Sequence, residues 1–188
     1  MITASAYDTH VQKLFDRMKR LHAALSGAGI PYRIIGGMAV FLQVSERDAG
    51  KARLTRDVDV AVDRRDLSRI GAVAEGFGFH YRHVAGVDML LDDAEPRASS
   101  GIHMVFVGEK VRSEYLEPIP DFSDATRTAE GILLAPVADL VRMKLTSFRL
   151  KDKVHIQDMD SVGLITAEIE NSLPDVLRGR LNEVRASE

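Results

Sequence analysis

The chain has 188 residues, 45% hydrophobic and 28% charged, with a formal net charge of −3, which describes one globular domain able to bury its own core. It contains no cysteine, so disulfides, zinc–thiolate sites and thiol nucleophiles are excluded, and a reducing cytoplasm is the expected location. The mild acidity offers no broad attraction to nucleic acid, so DNA is not expected as a partner. No apolar run approaches the roughly 20 residues of a bilayer span, so no membrane is expected either.

The first residues lack the charged-then-apolar layout of a secretion signal. Tyr7, Val11, Leu14, Phe15, Met18, Leu21 and Leu25 recur at three- and four-residue steps. The pattern predicts an amphipathic helix that stops at the glycines and Pro31 of SGAGIP. YRIIGG reads as a short strand closed by Gly36 and Gly37, and MAVFLQVSE as a buried helix starting at those glycines. After the polar loop RDAGKAR, DVDVAV alternates like a strand. RRDLSRIGAVAEGFG predicts a helix ended by glycines, and FHYRHV, VDMLLD and GIHMVFVG predict three strands. The segment holding Pro118 and Pro120 is irregular, and from Ala135 onward the chain reads as mostly helical. The expected class is α/β (α+β): a mixed core over residues 1–134 and a helical subdomain over 135–188.

The chemistry concentrates at two places. In a strand, Asp57 and Asp59 fall on one face with Cα atoms roughly 6.6 Å apart, while Val58 and Val60 point into the core. Two carboxylates so placed repel each other unless something compensates, and a hard divalent cation such as Mg2+ suits them. The bland alternative is an edge strand with solvated acids. Gly36 and Gly37, between a strand and a helix, permit close approach of a ligand to backbone N–H groups at a helix N-terminus, a cradle for a triphosphate.

The runs IIGGMAVFL, LTRDVDVAV and LVRMKLTSFRLKDKVHIQDM resemble the nucleotidyltransferase superfamily with the DNA polymerase β-like fold, in particular the small bacterial branch that includes AbiEii-type toxins. The resemblance covers roughly residues 30 to 165. It implies a mixed sheet flanked by helices with a C-terminal helical extension. It also implies transfer of a nucleoside monophosphate from an NTP to an acceptor (a small molecule, RNA or protein), with Mg2+ or Mn2+ as cofactor and pyrophosphate as product. Gly36 and Gly37 fall on the phosphate motif, Asp57 and Asp59 on the metal pair, and Thr55 and Arg56 on the T-x-D-x-D lead-in. Lys144 falls where a lysine contacts the triphosphate, and Asp152 where an acid supports the site.

The family's third carboxylate lies on a later strand, where this sequence has His103. Histidine can accept a proton near neutral pH but is a poor ligand for magnesium. Asp88 is the other candidate for that place. His80 and His83, three apart in a strand, are expected on opposite faces, and His155 and Asp158, one helical turn apart, could simply pair. Two further readings stand beside the enzyme: a degenerate fold member that binds nucleotide or a partner without turnover, and a toxin–antitoxin-type protein acting on RNA.

Overall fold

The computed structural model describes residues 4–122 and 124–187. The first amphipathic stripe forms α1 (Ala4–Gly27), whose Leu14, Met18, Leu21 and Leu25 enter the core; the side chain of Tyr7 lies outside the described residues. Gly29 takes a φ of +63° and the Ile30 N–H donates to Leu25 O at 2.9 Å. This closes the helix in a glycine-dependent cap.

The core elements follow as β1 (Tyr32–Ile35), α2 (Gly36–Arg47), β2 (Val58–Val62), a 3-10 turn at Arg64–Asp66, α3 (Leu67–Glu75), β3 (Phe79–Val84), β4 (Val87–Asp92), a second 3-10 turn at Ala98–Ser100 and β5 (Ile102–Phe106). Then come two short strands, β6 (Thr126–Arg127) and β7 (Leu133–Leu134), and four helices: α4 (Val137–Ser147), α5 (Leu150–Ser161), α6 (Ala167–Ser172) and α7 (Asp175–Ala186). The strands make one mixed sheet in the order β3-β4-β5-β2-β1-β7-β6. No helix among the described residues is long and apolar enough to cross a membrane.

The alternation expected of β2 is observed. Val58, Val60 and Val62 are buried beside Ile34, Ile102, Met104 and Phe106, and these residues form the helix-covered face of the sheet. Asp57 lies just before the strand and Asp59 within it, both half-buried. Helix α2 buries Met38, Ala39, Val40 and Val44. Its Gln43 donates to Ala135 O at 2.7 Å, and the Ala135 N–H donates to Ile34 O at 2.9 Å. Those two bonds fix where the C-terminal helices leave the sheet.

Two features depart from the sequence reading. Strands β6 and β7 were not expected, because two residues carry no alternation. Strand β7 exists through parallel pairing of Leu134 with Ile34. The long C-terminal helical run is also broken. Phe148 sits at φ 50°, ψ 30° and splits it into α4 and α5. An aromatic residue in the left-handed region is strained. Here its ring is held under Lys153, 4.1 Å away, and Arg180, 4.8 Å away.

Candidate active site

The register of three strands assembles the site. Ile35 of β1 pairs with Asp59 of β2, and Asp59 pairs with His103 of β5. Residues directly opposite across strands share a face, so the end of β1, Asp59 and His103 form one row. The chain turns out of β1 at Gly36, with φ at +70°. A Cβ on Gly36 would overlap Asp59 Oδ2 and lie 2.9 Å from its Cγ. A Cβ on Gly37 would lie 2.8 Å from Thr55 Oγ1. Gly36 is therefore required by the turn and by Asp59, and Gly37 is packed against Thr55, which precedes β2. The glycine turn and Asp59 belong to one site.

His103 Nδ1 stands 3.4 Å from Asp59 Oδ1. Interaction with Asp59 raises the histidine's pKa above its ordinary value, against burial, which lowers it. Asp88 is elsewhere. Strand β5 separates β4 from β2, and Asp88 pairs with Met104, which places it on the helix-covered face. There it accepts hydrogen bonds from Tyr81 Oη at 2.6 Å and His83 Nδ1 at 2.8 Å, with Arg64 3.7 Å away. Of the two candidates for the third position, His103 is the one beside the acidic pair. His80 pairs with Asp93 and His83 with Asp88, so the two share no site.

The C-terminal helices close the opposite wall. Lys144 on α4 is buried and donates to Asp152 Oδ1 at 3.1 Å. Asp152, at 0% exposure, also accepts from Arg149 Nε at 2.7 Å and Ser147 Oγ at 2.8 Å. The left-handed turn at Phe148 brings the residues on both sides of it onto that carboxylate. Burial pushes the Asp152 carboxyl up, but Arg149, Lys144 and Ser147 together outweigh it and hold its pKa at about 2. Burial lowers the Lys144 pKa, while Asp152 and then Asp59 oppose that shift. His155 and Asp158, one turn apart, do not pair. Asp158 takes Arg53 instead, at 3.0 and 3.1 Å.

A cleft of about 820 Å³ joins these walls, lined by Gly36, Gly37, Asp57, Asp59, His103, Lys144 and Arg149, with Arg56 exposed along it. That volume suits a nucleotide-sized ligand. Among the described residues no group of three or more His, Asp or Glu side chains is arranged to hold a metal. Magnesium, however, is commonly held by one or two carboxylates, with water and substrate phosphates filling the rest of its octahedron. Asp57 and Asp59, both half-buried on the cleft, supply the one or two carboxylates such an ion takes from protein, and they do not fit an ion caged by protein alone. The sequence reading missed Ser147 as a partner of Asp152 and the packing of Thr55 on Gly37. Thr55 had a signal, its place in the T-x-D-x-D lead-in; Ser147 had none.

No protein-family model matches the sequence, and no curated protein matches it. Solved structures that share its fold include two of one protein. One is the solution structure of the antibiotic-resistance factor ANT(2'')-Ia, with a TM-score of 0.53 and 14% identity over 96% of this chain and 95% of that chain. The other is the crystal structure of ANT(2'')-Ia in complex with adenylyl-2''-tobramycin, with a TM-score of 0.56 and 13% identity over 92% of this chain and 98% of that chain. The mixed seven-stranded sheet with its flanking helices is thus a nucleotidyltransferase-type fold.

Proposed function

We propose that this chain is a metal-dependent nucleotidyltransferase that moves a nucleoside monophosphate from an NTP to an acceptor and releases pyrophosphate. The observation that carries the reading is the packing of Asp59 against Gly36, which joins an acidic pair to a strand–glycine–helix turn. The N–H groups of that turn and the N-terminus of α2 receive the triphosphate. Arg56 and the buried Lys144 add positive charge. Asp152 holds Lys144 in place at 3.1 Å and stabilises its charged form.

Asp57 and Asp59 would hold Mg2+ or Mn2+. When bound, the ion would neutralise charge on the transferring phosphoryl group and on the departing pyrophosphate. His103, oriented by Asp59, takes the proton from the acceptor hydroxyl as that oxygen attacks the α-phosphorus. Residues 1–134 form the catalytic core in this reading, and residues 135–188 a subdomain that closes the triphosphate side. The Arg149 to Asp152 element supports placing the chain near the AbiEii-type branch. The fold neighbour captured with adenylyl-2''-tobramycin makes a small hydroxyl-bearing molecule the first acceptor class to test, ahead of RNA and protein.

The test uses each α-labelled NTP with Mg2+ and a panel of such acceptors. Wild type transfers label and releases pyrophosphate, and chelation stops it. Asp57→Ala stays folded by circular dichroism and is inactive. Full turnover by that variant overturns the assignment, and weak nucleotide binding indifferent to magnesium, with no turnover, replaces it with a degenerate binding module.

A further inference from the structure

His155 stands on α5 one turn beyond Asp152, and neither wall of the site described above uses it. Its ring lines the same cleft as Gly36, Asp57 and Asp59. A Cβ on Gly37 would lie 3.3 Å from His155 Cε1, so the imidazole edge rests on the phosphate turn. Its two nitrogens differ. Nδ1 is buried and has no hydrogen-bond partner, whereas Nε2 is not among the buried unpartnered atoms of the described residues, and no described side chain bonds it. Nε2 is the nitrogen open to the cleft.

An orphaned buried N–H is rarer than an orphaned buried acceptor. The favoured neutral tautomer therefore carries its proton on Nε2 and leaves the bare lone pair of Nδ1 inside. Adding a second proton would place an N–H on Nδ1 with nothing to receive it. The charged groups around the ring add to that cost: Lys144 from α4, Lys151 from α5 and Arg149 at its start disfavour a cation more than Asp152 favours one, and Asp57 and Asp59 face the same cleft from the strand side. Burial first, and then Lys144, lowers the His155 pKa to about 4.

We propose that His155 is a positioning residue for the nucleotide: a permanently neutral Nε2–H donor that hydrogen-bonds a triphosphate oxygen held over Gly37. The inference rests on the nucleotidyltransferase reading and deepens it. Lysine and arginine supply field on this wall, and His155 supplies direction without charge. Its contribution to binding is consequently the same at pH 6 and pH 8.

The experiment measures binding of α,β-methylene nucleoside triphosphates with Mg2+ by calorimetry between pH 6 and 8. It compares wild type, His155→Leu, which removes the donor, and His155→Gln, which keeps an N–H. A hydrogen bond to a charged oxygen predicts binding about 10–100-fold weaker in His155→Leu at every pH, with most of it restored in His155→Gln. In parallel, nitrogen-edited NMR of the wild type should show the His155 ring neutral, as the Nε2–H tautomer, from pH 8 to 5.5, with Nε2 shifting when nucleotide is added. The NMR arm decides the matter even if the leucine variant does not fold. Wild type that binds no nucleotide overturns the transferase reading and this inference together. Wild type that binds, with His155→Leu binding equally well or the ring titrating near 6.5, overturns the His155 assignment alone.

Discussion

Replacing Gly36 with alanine separates a structural glycine from a functional one. Its φ of +70° puts an alanine in the left-handed region, which costs an L-residue roughly 1–2 kcal/mol. The new Cβ would overlap Asp59 Oδ2 and lie 2.9 Å from its Cγ, so the carboxylate must rotate away. Pushing a side chain off its rotamer costs about 0.5–1.5 kcal/mol. Together these give about 1.5–3.5 kcal/mol, and at about 2–4 °C per kcal/mol for a chain of this length the melting temperature falls by roughly 3–14 °C. Gly163→Ala is the control, because Gly163 has nearly the same φ, +71°, with nothing within 4 Å of the added carbon. It carries the backbone strain alone and keeps full transfer activity per folded molecule. Scanning calorimetry gives the stabilities and pyrophosphate release the activity. Gly36→Ala must lose activity far beyond its loss of folded protein. If it turns over like Gly163→Ala, the packing of Asp59 on the turn is irrelevant to function and the reasoning fails.

Three further outcomes are expected. Asp152→Asn strands the buried Lys144 without its counter-charge; breaking such a pair destabilises by about 3–5 kcal/mol, readable by urea denaturation. Because the folded pKa of Asp152 is depressed from its ordinary 3.8 to about 2, its contribution is complete above about pH 4 and is lost as pH falls toward 2; the variant's stability should be flatter over that window, and an unchanged slope would remove Asp152 from the acid transition. His103→Asp places an oxygen ligand beside Asp59 in the register of β2 and β5 and should tighten Mn2+ binding measured by electron paramagnetic resonance, whereas weaker binding would show that the two acids mainly repel. Arg17, buried between Asp92 at 3.1 Å and Glu95 at 2.7 Å, ties α1 to β4 far from the cleft; Arg17→Ala should cost about 1–3 kcal/mol, since Arg20 still reaches Asp92 at 2.7 Å, with turnover per folded molecule unchanged.

What could be read from the sequence was whatever local pattern decides. The stripe of α1, the strand–glycine–helix turn and the alternation that turns Asp59 away from Val58 and Val60 follow from periodicity and from glycine chemistry. What could not be read depends on partners distant in the chain. Strand β7 is two residues extended only through pairing with β1 on one side and β6 on the other. The break at Phe148 has no proline or glycine to announce it, because it is held by tertiary contacts with Lys153 and Arg180. The choice between His103 and Asp88 turned on strand order, which no spacing encodes. The partner of Asp158 is Arg53, 105 residues away, so helical spacing pointed to the wrong neighbour.

In the proposed reading, Asp57 and Asp59 grip a divalent ion together with a triphosphate on the Gly36–Gly37 turn. An electron paramagnetic resonance titration of Mn2+ against wild type and against Asp57→Ala and Asp59→Ala, each with and without an α,β-methylene triphosphate, tests it most directly. Wild type should retain Mn2+ tightly only when the nucleotide is present, and both variants should lose it. Equal retention in either variant, or nucleotide binding that ignores the metal, contradicts that reading.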